Sequence, residues 1–382
     1  MTAVGTPPAA PARPTRSVNW HSVGIGVAAP LVSLIIAAAL SALLVAITGF
    51  NPGDVLTTLS DRFGDVNTWI DAAQRAVPLY ISAIAVAIGF KMNLFNIGVE
   101  GQYKVAMFAT AVIGASFRLP AILHVLVCIL IAMVFGALWA AIPAILKVKR
   151  GVNEVIATIM LNYIATGLIA YLFGEFFAVR KAGDLSPKTK LMPGSSWVPN
   201  LIERNLHNLT GFVIVAAVVG AVYYVVVWKT RFGFQLRASG ANPTAARTSG
   251  IDPKAMVFKT LLLSGAVAGL VGLPQILGDK HAYSTDLQFN LGFDGIAVAL
   301  LGRNSPVGIA MAAMIFGFLD SAGRFLEFSE IPKEIVVIMQ GVIVLTVVIV
   351  YEQARRMRER ATQVAASKDL EATGPAMNVE AS

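Results

Sequence analysis

Phe95-Asn96-Ile97-Gly98-Val99-Glu100-Gly101 interrupts an otherwise apolar stretch, and the chain repeats the phrase 194 residues later as Phe289-Asn290-Leu291-Gly292-Phe293-Asp294-Gly295. Four of the seven positions are identical, and two more exchange Ile for Leu and Glu for Asp. Lipid cannot satisfy the polar groups of such a break, so each copy must be buried in protein or line a polar cavity. Glycine-broken apolar segments at corresponding places in two halves of a chain mark the central pathway of a membrane transporter.

The surrounding composition agrees with a membrane setting. The 382 residues are 56% hydrophobic and 14% charged, with a mean hydropathy of +0.70, too apolar for a soluble domain of this size. The formal net charge of +8 sits in short basic segments between apolar runs, as in cytoplasmic loops, which argues against a nucleic-acid-binding face. A single cysteine, Cys128, excludes an internal disulfide, and His21, His124, His207 and His281 are too scattered to suggest a metal site.

Taken in order, residues 1–22 are Pro- and Ala-rich and read as a disordered cytoplasmic arm. Val23 to Ile47 reads as the first span, longer than the apolar region of a cleaved signal peptide. The acidic segment from Asn51 to Arg75 belongs outside. Ala76 to Met92 reads as a short second span of 17 residues that ends on the first motif. Further spans follow over 102–117, 120–146, 155–177, 210–228, 256–277, 287–301, 306–319 and 335–350. Lys147, Lys149, Arg150, the basic loop 229–254 and the tail 351–382 fall inside, and the positive charges of the 178–208 loop run against the rule. The expected fold is an all-α polytopic membrane protein: a permease domain over 23–350, about ten spans and both termini cytoplasmic. An odd number of crossings separates the two motifs, which predicts an inverted repeat of about 76–177 against 256–350.

The chemistry available is that of a conduit. No phosphate-cradling G-x-x-x-x-G-K-[ST] occurs, nor a nucleophile elbow or paired-cysteine motif, so catalysis is not expected and any ATP must be hydrolysed by another chain. Within the basic loop, Asn242 is placed to cap a short helix that Pro243 begins and Gly250 ends. Such a stub suits docking into a partner's groove and equally an ordinary loop helix at the membrane surface.

Four ordered stretches carry a resemblance: FNIGVEGQ (95–102), GVNEVIATIMLNY (151–163), GANPTAARTSGI (240–251) and GFDGIAVALLG (292–302). Together they resemble the membrane permease subunits of bacterial ABC importers for nucleosides and simple sugars, the nucleoside branch most closely, over about residues 76–350. The resemblance implies a second permease subunit, an ATP-binding subunit with two nucleotide-binding halves, and an extracellular substrate-binding lipoprotein. It also implies that the Gly240 to Ile251 loop is the coupling helix, with Asn242, Pro243, Ala245, Ala246, Arg247 and Gly250 meeting the ATPase.

The polar residues of the broken segments each have two readings. Asn96, Glu100, Gln102, Asn162, Asn290 and Asp294 could line the substrate pathway. Glu100 and Asp294 could equally stabilise the positive ends of the helices that follow, with Asn96 and Asn290 as nearby caps, and Asn162 could bond between helices. Gly98, Gly101, Gly292 and Gly295 let the backbone bend or helices approach. Asn153 and Glu154 read as a helix cap ahead of substrate contact, and Phe95 and Phe289 as packing aromatics ahead of a stack on a base. The rival to the ABC reading is an ion-coupled secondary transporter of a small polar solute, which inverted repeats and an intramembrane carboxylate also suit. A membrane scaffold is a third class, against which the broken spans argue.

Overall fold

The computed structural model describes residues 20–179, 186–287 and 290–372; Phe289, most of the N-terminal arm and the end of the tail lie outside them. In chain order the helices are α1 (Trp20–Ile47), α2 (Pro52–Phe63), α3 (Val66–Phe90), α4 (Val99–Gly114), α5 (Ala121–Arg150) and α6 (Glu154–Leu172). A hairpin of β1 (Asn200–Arg204) and β2 (His207–Thr210) precedes α7 (Phe212–Lys229), α8 (Arg231–Ala241), α9 (Pro243–Thr248) and α10 (Pro253–Gly269). The chain closes with α11 (Leu291–Leu301), α12 (Pro306–Gly323) and α13 (Glu334–Ala372). Among the described residues this is a helical membrane protein: seven helices are long and apolar enough to cross a bilayer. The apolar α11 has 11 residues and α4 has 16, both below the length of an ordinary span.

Helix ends follow side-chain chemistry. Asp65 accepts from the Asn67 N–H at 3.0 Å to start α3, Asn153 accepts from Val155 at 2.8 Å to start α6, and Asp252 accepts from Lys254 at 2.9 Å to start α10. Gly151, at φ +70°, closes α5 in the left-handed region that glycine enters without cost. One boundary departs from the expectation. The second span is not a short 17-residue helix beginning at Ala76; α3 runs 25 residues from Val66. Asn67, Asp71, Gln74 and Arg75 occupy its outer turns, where hydropathy falls but the Asp65 cap still nucleates the helix.

The chain divides into two compact units. In one, residues 40–344 gather around a core on α3, α4, α5, α10 and α12. Its two most extensive helix pairings are α5 with α10 and α3 with α12. Both are built on small residues four apart: Ala132, Gly136 and Ala140 face Gly265 and Gly269, while Ala72 and Ala76 face Gly317. A Cβ on Gly136 would collide with the backbone of Gly265 and Gly269, so glycine there permits contact between helix backbones. The loop of residues 186–199 is tied down by Thr189 N–H to the Tyr283 carbonyl at 2.9 Å and Val198 N–H to the Leu277 carbonyl at 2.9 Å. The other unit holds the described part of residues up to 39 and those from 345 onward, where Glu352 pairs with Arg356 at 2.8 Å on α13.

Candidate functional site

The two motifs cross. After α3 the chain turns through Lys91 to Gly98, and the buried Asn96 amide organises the turn: its Oδ1 accepts from the Gly98 N–H at 3.1 Å, and its Nδ2 donates to Ser264 Oγ on α10 at 2.8 Å. Asn96 and Gln102 bond through both amide groups at 3.1 Å, and Ser264 Oγ donates to the Ala85 carbonyl at 2.6 Å. From α6, Asn162 brackets the same segment, its Oδ1 accepting from the Gly101 N–H at 2.9 Å and its Nδ2 donating to the Ile97 carbonyl at 3.0 Å. Backbone groups that the helix break leaves without intrahelical partners are thereby satisfied inside the protein.

Glu100 does more than begin α4. Its Oε1 accepts from the Asn290 N–H at 3.0 Å and its Oε2 from the Gly292 N–H at 2.9 Å, so a carboxylate of the first motif caps the helix of the second. Lys104 Nζ at 2.8 Å and the Tyr103 hydroxyl at 3.2 Å complete its shell, and Glu100 is 2% exposed. A Cβ on Gly292 would lie 2.6 Å from the Glu100 Cα, so the approach of α11 to α4 requires glycine. Asn290 sits at φ +69° with its side chain exposed, and contributes its backbone rather than a side-chain cap. Ser82 on α3 donates to the Leu291 carbonyl at 2.8 Å, which fixes the same end of α11 from the other side.

Asp294 holds the motif position of Glu100 but a different environment. It is half-buried and makes no hydrogen bond among the described residues. Asp320 and Glu100 lie within its electrostatic reach. Asp320 accepts from Gln340 Nε2 at 2.8 Å and interacts with Arg75 and Arg324. Those two arginines open onto a polar pocket of about 350 Å³ that Asp71, Gln74, Asn208 and Lys280 also line. The sequence reading missed Arg75, Asp320, Arg324 and Gln340. A charged residue inside an apolar helix is the signal that singles out Asp320, whereas Arg75 hid in a stretch assigned to a loop.

The stub is formed as its sequence indicates. Asn242 Oδ1 accepts from the Thr244 and Ala245 N–H groups at 3.0 Å, Pro243 opens α9, and Gly250 leaves it at φ +79°. Pro243, Thr244, Ala245, Arg247 and Gly250 are exposed. Ala246 is not part of that face: at 3% exposed it packs with Met92, Leu94, Leu236 and Met256, because about one residue in each 3.6-residue turn of a helix lying on the protein points inward. Two contacts join this region to the first motif. Asn93 Nδ2 donates to the Gly240 carbonyl at 2.7 Å, and a Cβ on Gly240 would lie 2.7 Å from the Met92 Cα. Asn153 caps α6 and Glu154 pairs with Lys147, a structural role for both. No group of three His, Cys, Asp or Glu side chains among the described residues could hold a metal ion.

Comparison with known proteins places this geometry in context. Residues 69–348 match a family model described as branched-chain amino acid transport system / permease component. The chain is 33% identical over 323 residues to a guanosine ABC transporter permease protein of Bacillus subtilis, covering 83% of this chain and 92% of that one. It is 31% identical over 332 residues to a nucleoside ABC transporter permease protein of Lactococcus lactis, covering 84% and 90%. A glucose ABC transporter permease protein of Haloferax volcanii is 33% identical over 350 residues, covering 87% and 89%.

Proposed function

The chain belongs to the family described as branched-chain amino acid transport system / permease component, and from that premise we propose that it is the membrane permease subunit of an ATP-driven importer of nucleosides or related simple sugars. Relatives of that family named for guanosine, nucleosides and glucose leave membership to fix the architecture and the site to fix the cargo. Like them it acts as a permease component of an ABC transporter. Its working partners are then an ATP-binding subunit with two nucleotide-binding halves, a second permease subunit and an extracellular substrate-binding lipoprotein.

The observation that carries the reading is the crossing of the motifs. Exchanging α3, α4 and α5 for α10, α11 and α12 turns the α5–α10 pairing into α12–α3, and α3–α11 into α10–α4; both members of each pair are packed against one another. Between the first motif and the second the chain runs through five apolar helices (α4, α5, α6, α7 and α10), an odd number, which supports reading the repeat as inverted. Alternating access is a rocking of one half against the other. Glu100 holds the seam, and Asp294 with Asp320, Arg75 and the polar pocket forms the substrate side of it. Asn96, Gln102 and Asn162 are spent on local hydrogen bonds and position the break instead of touching cargo. Movement at α9 reaches this seam through Gly240 to Met92 and Asn93, and from there along the same stretch of chain to Glu100.

Orientation follows from the basic α8–α9 loop, which is placed in the cytoplasm with both termini. The half-buried, unbonded Asp294 is also what an ion-coupled secondary transporter would need, and it is the one observation favouring that second reading. Uptake of labelled guanosine by vesicles holding the complete transporter tests the cargo. Competition by other nucleosides, with free glucose ineffective at the same concentration, is expected; equal competition by glucose would assign the chain to sugars.

A further inference from the structure

A groove of about 390 Å³ runs along α7 and is lined almost wholly by aliphatic side chains, among them Ile214, Val218 and Val222 of α7. Its floor is Ile84 and Ile88 of α3 and Leu270 beyond α10, all buried, while Ile214, Val218 and Val222 are more than half exposed. The lining residues of α7 extend from Ile214 to Val227, roughly 20 Å of helix, which exceeds the ~15 Å half-thickness of a bilayer core.

The end of this groove at Tyr223 and Val227 meets a cluster of bases and aromatics. Lys91 Nζ lies 4.9 Å from the centre of the Trp228 ring, Trp228 stacks on Tyr224 at 5.6 Å, and Lys229 Nζ lies 5.9 Å from the Tyr224 ring. The Arg237 guanidinium donates to the Val227 carbonyl and is close enough to Lys91 to repel it. Lys91, Lys229 and Arg237 pair with no carboxylate among the described residues. Three like charges at the polar end of an apolar groove, two of them partly buried, are costly unless an anion completes them. Trp and Tyr at the same level mark the headgroup region of a bilayer.

We propose that this groove is a binding site for one anionic phospholipid, whose acyl chain lies along α7 and whose phosphate is held by Lys91, Arg237 and Lys229. The inference needs only that α7 spans a membrane and is independent of the cargo. It gives the lipid a role. Lys91 begins the turn whose Met92 and Asn93 grip Gly240, so a bound phosphate stiffens the connection between the α8–α9 loop and the first motif. Basic pockets between membrane helices recognise anionic headgroups through charge while the chain contributes apolar contact.

Native mass spectrometry of the purified full chain, titrated with phosphatidylglycerol and with phosphatidylcholine of the same acyl chains, tests the site. One phosphatidylglycerol is expected to be retained in preference to phosphatidylcholine. The Lys91→Gln, Lys229→Gln variant, with an unchanged unfolding midpoint, is expected to lose that preference by on the order of tenfold. Val222→Trp, which fills the groove, is expected to weaken both lipids while leaving headgroup selectivity intact. Equal retention of the two lipids by the unaltered protein, which requires no variant to fold, would overturn the proposal. So would disulfide cross-linking of two copies through cysteines placed at Val218 with no lipid retained, since a second permease would then be the occupant.

Discussion

Glu100 reaches across to Gly292: its Oε2 accepts the Gly292 N–H at 2.9 Å, so the acid of one motif caps the helix opened by the other. The cap joins the two motifs and leaves them inequivalent, because Asp294 returns no such bond among the described residues. Glu100→Ala removes a buried carboxylate that serves two backbone donors, Lys104 and Tyr103. A loss of about 3 kcal/mol is expected, read as a lowered unfolding midpoint in detergent, with uptake falling in parallel. An unshifted midpoint would mean that the seam is held elsewhere.

Asp294→Asn should behave in the opposite way. The side chain makes no hydrogen bond among the described residues, so stability is expected to stay within about 0.5 kcal/mol while uptake drops by on the order of tenfold or more. Normal uptake by this variant would remove Asp294 from the pathway.

Close backbone approach makes Gly292 intolerant of even one methyl. Gly292→Ala is expected to cost about 2 kcal/mol and to impair transport, since the new Cβ would sit 2.6 Å from the Glu100 Cα. Gly167→Ala on α6 is the control: nothing lies within 4 Å of its Cβ position, and it should match the parent protein or exceed it. Equal behaviour of the two variants would contradict the packing argument.

Asp65 predicts a pH signature at the start of α3. Its bonds to the Asn67 N–H and Thr68, with Arg62 nearby, hold the carboxyl below the ordinary aspartate range. The stabilisation is therefore complete above the ordinary value of about 4 and is lost as pH falls through the lower folded value. Asp65→Ala should cost on the order of 1 kcal/mol at pH 7, and its gap to the parent should close in acid. A gap independent of pH would show that the charge of the cap does not contribute.

The sequence reading located the features that are local and periodic. The paired motifs, the Asn153 and Asn242 caps and the glycine exit at Gly250 are each written within a few residues, and each is where the chain is read to place it. Features set by distant contacts were not legible. Glu100 and Asn290 are 190 residues apart, and nothing in either motif says that the acid caps its counterpart's helix and not its own. Hydropathy began α3 ten residues late, since Asp71, Gln74 and Arg75 are polar yet helical. The inward turn of Ala246 was hidden because six residues of mostly small side chains carry no amphipathic pattern.

The exposed face of α9 decides between an ATP-driven permease and an ion-coupled carrier. Ala246 is unsuitable as a probe because it is buried, so a charge there tests folding. Ala245 is exposed at the third position of the helix, where an acid favours the positive end and preserves the stub. The direct measurement is ATP-dependent nucleoside uptake and ATPase co-purification for Ala245→Asp, with membrane insertion and unfolding midpoint checked against the parent. Normal insertion and stability, with the ATPase lost and uptake abolished, is the expected result. Full uptake by Ala245→Asp that persists without ATP and stops only when the ion gradient is dissipated would contradict the ABC permease reading.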